Sequence, residues 1–340
     1  MAYSRTAARI FDAAATGVKI AVVGAGAIGG HVGAALSRGG AEVVLVARGP
    51  HLEAIRARGL TVTSPRGDLG ARVEATDDIA SIGPVDVVIL AVKAYQIEPI
   101  LDQLPSLFGA DTAVVTMQNG IPWWYFAFHG GPYDGRSLQS VDPGGRIASA
   151  LPIERIIGSV VYPAAEIVAP GMIRHIEGYR FTLGEIDGAA SARVKALSEI
   201  FERAGFKAPV VSDIRSEIWL KLWGNATFNP VSALTRATLE DICRFPASRE
   251  LIAGMMSEVR SVAEALGVRF RLSIEKRIAG AEAIGAHKTS MLQDIEAGRA
   301  PEIDALLGAV LELAKIVGLE VPRLFAVYAL VKLLTARDRT

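Results

Sequence analysis

Residues 18–30 read VKIAVVGAGAIGG. The first half is a continuous apolar run, as expected of a strand buried on both faces of a parallel sheet. The second half sets Gly24, Gly26 and Gly29 in the spacing G-x-G-x-x-G, directly ahead of a helix expected over His31–Arg38. Glycines so placed permit a tight turn, let the backbone approach a pyrophosphate, and let the helix pack on the strand. The phosphates would rest on the helix N-terminus, where free N–H groups and the dipole favour an anion. Three glycines alone say little. Opening a βαβ unit, they point to an α/β dinucleotide-binding domain.

The chain on either side extends that reading. A second strand over Glu42–Ala47 ends on Arg48. A carboxylate there would hold a ribose 2′-hydroxyl, whereas an arginine suits a 2′-phosphate, so NADP is expected over NAD. A third apolar strand, Val85–Val92, ends on Lys93, and a fourth, Thr112–Met117, ends on Gln118-Asn119-Gly120. Ligands bind beyond the carboxyl ends of such strands, which makes Lys93 and Asn119 candidates. Leu60–Glu74 reads as β-like, broken by Pro65 and Gly67. From Ile121 to Ala150 the chain turns rich in Gly, Pro and aromatics, including PWWYFAFHGGPYDG at 122–135. A loop of that length is commonly functional or mobile. Its lone His129 lacks ligand spacing, so no metal site is expected. Strands over Ile156–Ala164, Met172–Ile176 and Arg180–Leu183, a helix over Ser191–Ala204 and a last strand over Ala208–Val211 close a first domain, 18–212. The remainder, 213–340, reads as almost entirely helical.

Length and composition agree. A chain of 340 residues accommodates two domains, and 51% hydrophobic with 21% charged residues describes a globular protein. Lys plus Arg equals Asp plus Glu at 36 each, which gives no bulk-charge reason to expect a nucleic-acid partner. One cysteine, Cys243, excludes an internal disulfide framework and fits a reducing, cytoplasmic setting. No apolar run reaches the length of a membrane span. Residues 1–17 read as a frayed extension without a secretory signal.

Within the helical half, Ile218, Trp219, Leu222 and Trp223 recur at helical spacing along Ile214–Leu234. Lys221, Asn225 and Asn229 interrupt the apolar residues at intervals of four, a stripe down one helix face. Such groups need partners, because burying them unpaired is costly. A bend is expected at Pro230. Farther on, residues 290–304 read SMLQDIEAGRAPEID. Ser290 suits a helix start, and Pro301 suits a first turn in which Glu302 and Asp304 meet the dipole.

Taken together, GAGAIGG, VKAYQ at 92–96, QNG at 118–120, EIWLKLWGNATFNP at 217–230 and SMLQDIEAGRAPEID resemble the ketopantoate reductases (2-dehydropantoate 2-reductases), within the 6-phosphogluconate-dehydrogenase-like superfamily. The resemblance covers nearly the whole chain after residue 17. It implies an N-terminal Rossmann domain followed by an all-α C-terminal domain, with the active site between them. It implies NADPH held by Gly24, Gly26, Gly29 and Arg48, with Lys93 and Asn119 nearby. It implies Lys221 as the catalytic lysine, Glu302 as an acid of the same pocket, and Asn225, Asn229 and Ser290 as substrate ligands. The reaction so implied is reduction of 2-dehydropantoate to (R)-pantoate, on the route to pantothenate and coenzyme A. A homodimer is compatible with this reading. The aromatic, Gly/Pro-rich stretch after Asn119 departs from the family pattern and is expected to shape the substrate pocket.

Hydride transfer to a ketone develops charge on its oxygen, which an ammonium can stabilise and protonate. Two other readings fit some of the residues: a reductase of another branched or aromatic 2-oxo acid, and a redox-sensing NADP-binding protein without turnover. The second has no use for Lys221, Asn225, Ser290 and Glu302 together.

Overall fold

A computed structural model describes residues 17–337. The N-terminal extension read from the sequence lies outside the described residues, apart from Gly17. The chain forms two compact units. The first comprises the chain to Gln118, Phe126–Arg136 and Arg146–Ile214; the second comprises Asn119–Tyr125, Ser137–Gly145 and the chain from Arg215 onward.

Among the described residues the first unit carries eleven strands: β1 Lys19–Val23, β2 Glu42–Val46, β3 Leu60–Thr63, β4 Leu69–Ala71, β5 Glu74–Thr76, β6 Val85–Leu90, β7 Phe108–Thr116, β8 Ile156–Val161, β9 Ala164–Ala169, β10 Met172–Glu177 and β11 Phe181–Glu185. Seven make one sheet in the order β11-β8-β7-β6-β1-β2-β5. Every pairing in it is parallel except β11 on β8. Its parallel strands thus follow the doubly wound 3-2-1-4-5-6 order, whose ligand crevice opens where the order reverses, between β1 and β6. The α/β expectation holds.

Helix α1, Ala27–Arg38, is packed against β2 of this sheet and against β3, β4, β9 and β10 of a second, four-stranded one. A helix covered on both sides has room only for small residues, and α1 reads AIGGHVGAALSR. A Cβ at Gly30 would strike Ile173 of β10 at 2.5 Å, and one at Gly33 would strike Leu45 of β2 at 2.4 Å. Helix α2 covers Gly49–Arg58, α3 Arg146–Ala150 and α4 Ala192–Arg203.

Three local expectations change. Helix α1 starts at Ala27, not His31, because Gly26 serves as N-cap and the glycine motif itself supplies the first turn. The strand expected over Ile156–Ala164 stops at Val161, with β9 beginning beyond Tyr162-Pro163, where Pro163 removes a ladder donor. Ala208–Val211 makes no strand: Phe181 and Leu183 donate to Lys207 and Pro209 carbonyls at 2.8 and 2.9 Å, leaving isolated bridges around Pro209.

The second unit holds α5 Ile214–Asn225, α6 Phe228–Thr235, α7 Leu239–Arg244, α8 Pro246–Ala265, α9 Ile274–Glu282, α10 Ser290–Glu296, α11 Ala309–Ile316 and α12 Pro322–Arg337. (The first residue of α5 belongs to the first unit.) The single helix expected over Ile214–Leu234 is two helices, and the break precedes Pro230. Pro230 sits in the first turn of α6, where its missing N–H would otherwise have continued the α5 ladder. Thr227 marks the break, its hydroxyl donating to the Trp223 and Gly224 carbonyls at 2.9 and 3.1 Å. Among the described residues no helix is long and apolar enough to cross a membrane.

The aromatic run after Asn119 is core. Trp123, Trp124 and Tyr125 are 6%, 2% and 0% exposed, and Phe126 1%. The Trp219 indole donates to the Tyr125 hydroxyl at 2.8 Å, and Arg215 donates to the Tyr125 carbonyl at 2.8 Å. For Trp123–Phe126 the expectation that this stretch shapes a substrate pocket gives way to a structural role, because side chains this buried are not free to line an opening.

Candidate active site

The glycine loop and the end of β6 are fitted to each other. Gly24 adopts φ 103°, and a Cβ there would meet the Val92 side chain at 2.7 Å and its backbone N at 2.9 Å. A Cβ at Gly29 would lie 2.1 Å from the Gly24 carbonyl oxygen and 2.8 Å from the Ala91 methyl. Gly26 differs: it is exposed, and a Cβ there would meet nothing within 4 Å. Gly24 and Gly29 are therefore required by the protein itself, while Gly26 keeps open the space ahead of α1.

Arg48 follows β2 as the N-cap of α2 and is exposed, with no salt bridge among the described residues. Lys93 directly follows Val92 and opens a short 3₁₀ turn over Ala94–Gln96, its N–H held by the Gln96 side chain at 3.1 Å. Gln118, at the end of β7, donates from Nε2 to the Leu90 and Val92 carbonyls at 2.8 and 2.9 Å. It ties the ends of β6 and β7 together, a role not read from the sequence.

In the second unit the structure joins Lys221, Asn119 and Glu302. Lys221 Nζ donates to Asn119 Oδ1 at 2.5 Å, and Asn119 Nδ2 donates to Glu302 Oε2 at 3.4 Å. The carboxamide accepts from the ammonium and donates to the carboxylate, so both of its ends face a charge. Although Lys221 keeps part of its surface exposed, its ammonium is enclosed. Burial lowers its pKa from 10.5 to about 8, against the nearby Glu302 carboxylate, which raises it.

Asn225 closes α5, partly exposed, and Asn229 lies in the first turn of α6, buried. Neither carboxamide has a hydrogen-bond partner among the described residues. Ser290 is exposed at the start of α10, which packs on α6; the cap itself is Thr289, accepting from Leu292 N–H at 3.3 Å. Glu302 sits one residue ahead of the helix, its carbonyl accepting from Leu306 N–H at 3.1 Å, so its carboxylate remains at the helix N-terminus, where the dipole favours it. No cluster of His, Cys, Asp and Glu among the described residues could hold a metal ion.

Residues 20–123 match the family described as "Ketopantoate reductase PanE/ApbA", and residues 213–335 match its C-terminal counterpart. The chain is 52% identical over 316 residues to the 2-dehydropantoate 2-reductase of Mesorhizobium japonicum, covering 93% of this chain and 97% of that protein. It belongs to the ketopantoate reductase family. The 2-dehydropantoate 2-reductase of Pyrococcus horikoshii is 32% identical over 93% of this chain and 97% of its own. Among solved structures, a putative ketopantoate reductase from Ralstonia solanacearum superposes with a TM-score of 0.90 at 41% identity, covering 94% of this chain and 98% of its own. The two matched segments contain every candidate residue read from the sequence: the glycine loop, Arg48, Lys93 and Asn119 lie in the first, and Lys221, Asn225, Asn229, Ser290 and Glu302 in the second.

Proposed function

We propose that this ketopantoate reductase family member reduces 2-dehydropantoate to (R)-pantoate with NADPH, on the route to pantothenate. The observation that carries the reading is the hydrogen-bonded series Lys221–Asn119–Glu302, a buried ammonium set beside a carboxylate within a member of this family.

The dinucleotide fit rests on three features of the first unit. Gly26 leaves open the approach to the N-terminus of α1, a twelve-residue helix with free N–H groups. Arg48 stands exposed at the end of β2, where a 2′-phosphate would be read. Lys93 adds a cation beside the loop. When bound, the reduced nicotinamide supplies the hydride.

The second unit supplies the acid. A ketone oxygen that gains negative charge is stabilised by a donor whose proton affinity lies near working pH, and Lys221, pushed down to about 8, meets that condition. The ammonium hydrogen-bonds the carbonyl oxygen and gives up its proton as the alkoxide forms. Glu302 opposes premature loss of that proton, and Asn119 keeps Lys221 directed. Asn225 and Asn229 present amide donors and acceptors to the substrate's hydroxyl and carboxylate, and Ser290, at the start of the α10 helix that packs on α6, adds a hydroxyl.

Lys221→Ala tests this reading: kcat should fall at least about 100-fold, the range for a lost general acid, while NADPH affinity holds. A folded Lys221→Ala protein turning over near the wild-type rate would sink it.

A further inference from the structure

Gly120 meets the backbone just beyond Glu302 with no room between them. A Cβ on Gly120 would lie 2.2 Å from the Ala305 carbonyl oxygen and 2.6 Å from its carbon, and Gly120 holds φ 88°. The Ile121 N–H donates to that same Ala305 oxygen at 2.9 Å. Ala305 belongs to Asp304–Gly308, a π-helical turn closed by the Ala309 N–H on the Asp304 carbonyl, five residues back. Such turns are rare and recur at functional sites. On the turn's other flank the Asp304 carboxylate accepts from the Tyr328 hydroxyl at 2.7 Å and from Lys332 Nζ at 3.0 Å.

Asn119 immediately precedes Gly120, and Glu302 stands two residues before the π turn. The backbone junction therefore spaces Asn119 from Glu302, its acceptor in the series. We propose that Gly120 and Ala305 are positioning residues, whose contact holds Asn119 between Lys221 and Glu302 and so sets how tightly the Lys221 ammonium keeps its proton. The proposal rests on the reading of Lys221 as proton donor. A hydrogen bond accepted from the charged form favours that form, so displacing Asn119 leaves burial to act more fully on the ammonium. Other charged groups near α5 are Glu217, one turn before Lys221, and Arg277 of α9. The Arg277 guanidinium lies so close to Gly224 that a Cβ there would meet its Nη2 at 2.3 Å. Asn119 is joined to Gly120 through the chain and to Lys221 by its hydrogen bond, which makes it the route by which a change at the junction reaches the ammonium.

The test is Gly120→Ala, with Gly318→Ala as the control for positive-φ strain alone, since Gly318 holds φ 72° with nothing within 4 Å of its Cβ position. Asp304→Ala releases the π turn from its outer flank without touching Gly120. Each protein is labelled with [13Cε]lysine, and Lys221 is titrated by NMR, its signal identified by its loss in Lys221→Arg. Gly120→Ala should lower the Lys221 titration by about one pH unit, the size of one charge-assisted hydrogen bond. Asp304→Ala should move it the same way by less, Gly318→Ala should not move it, and NADPH affinity should hold in all three. A folded Gly120→Ala protein titrating as wild type overturns the proposal, as does an equal shift in Gly318→Ala. Should Gly120→Ala not fold, an unmoved Asp304→Ala titration overturns it. The titration needs no substrate, so an enzyme that shows the shifts yet leaves 2-dehydropantoate untouched upholds the positioning and refutes the assigned reaction.

Discussion

Lys221→Met should make the helical unit more stable while abolishing turnover. The substitution removes the charge and keeps an unbranched side chain of similar length. A drop in pKa from 10.5 to about 8, at about 1.36 kcal/mol per pH unit, means that the fold disfavours the ammonium by roughly 3 kcal/mol at neutral pH. Because the residue keeps part of its surface, the expected gain is about 1–3 kcal/mol. The unfolded chain holds this proton up to 10.5 and the folded protein releases it near 8. Between those values the unfolded state binds more protons, so wild-type stability rises with pH. The advantage of the variant is therefore full below pH 8 and gone by 10.5. The protein's four tryptophans, Trp123, Trp124, Trp219 and Trp223, all lie in the second unit, so urea unfolding followed by tryptophan fluorescence reports that unit. A variant less stable than wild type at pH 7, or a gain undiminished at pH 10, would refute the claim that the lysine is held against a burial cost.

Other outcomes follow from the same geometry. The kcat profile should fall above about pH 8 as Lys221 loses its proton; a flat profile to pH 9.5, measured with NADPH and 2-dehydropantoate, removes Lys221 as the donor. Gly26→Ala should leave the melting temperature unchanged yet weaken NADPH binding, whereas Gly29→Ala should reduce both, because its Cβ meets the Gly24 carbonyl at 2.1 Å; calorimetry and cofactor titration separate them. Arg48→Ala should weaken NADPH at least about tenfold and NADH little, by loss of a charge-assisted contact of 1.5–3 kcal/mol; equal losses would take Arg48 out of the phosphate site. Trp219→Phe leaves the buried Tyr125 hydroxyl without its donor and should cost about 1–3 kcal/mol in the same urea assay.

The sheet domain was legible because its signals are local. An apolar run feeding G-x-G-x-x-G requires a strand, a turn and a helix within a dozen residues, and β1 and α1 supply them. The second sheet was harder to see. Strands β3, β4, β9 and β10 are short, and what joins them is the two-sided burial of α1, readable only in retrospect from its small residues. In the helical unit the Lys221 stripe was visible as polar groups among apolar ones, but the α5–α6 break did not show, since Thr227 back-bonding depends on the final backbone path. Nor could spacing reveal that Asn119 bridges Lys221 and Glu302, groups separated by 102 and 183 residues in sequence. The aromatic run misled for a related reason: composition distinguishes a Gly/Pro-rich loop from a helix, but not a loop on the surface from one that fills a core.

The most direct test of the proposed function is steady-state NADPH oxidation with 2-dehydropantoate set against a panel of branched and aromatic 2-oxo acids. The expected result is a kcat/KM for 2-dehydropantoate at least about tenfold above any other, a margin of 1.4 kcal/mol in transition-state binding. A higher kcat/KM for another 2-oxo acid, or no NADPH consumption with any of them, would contradict it.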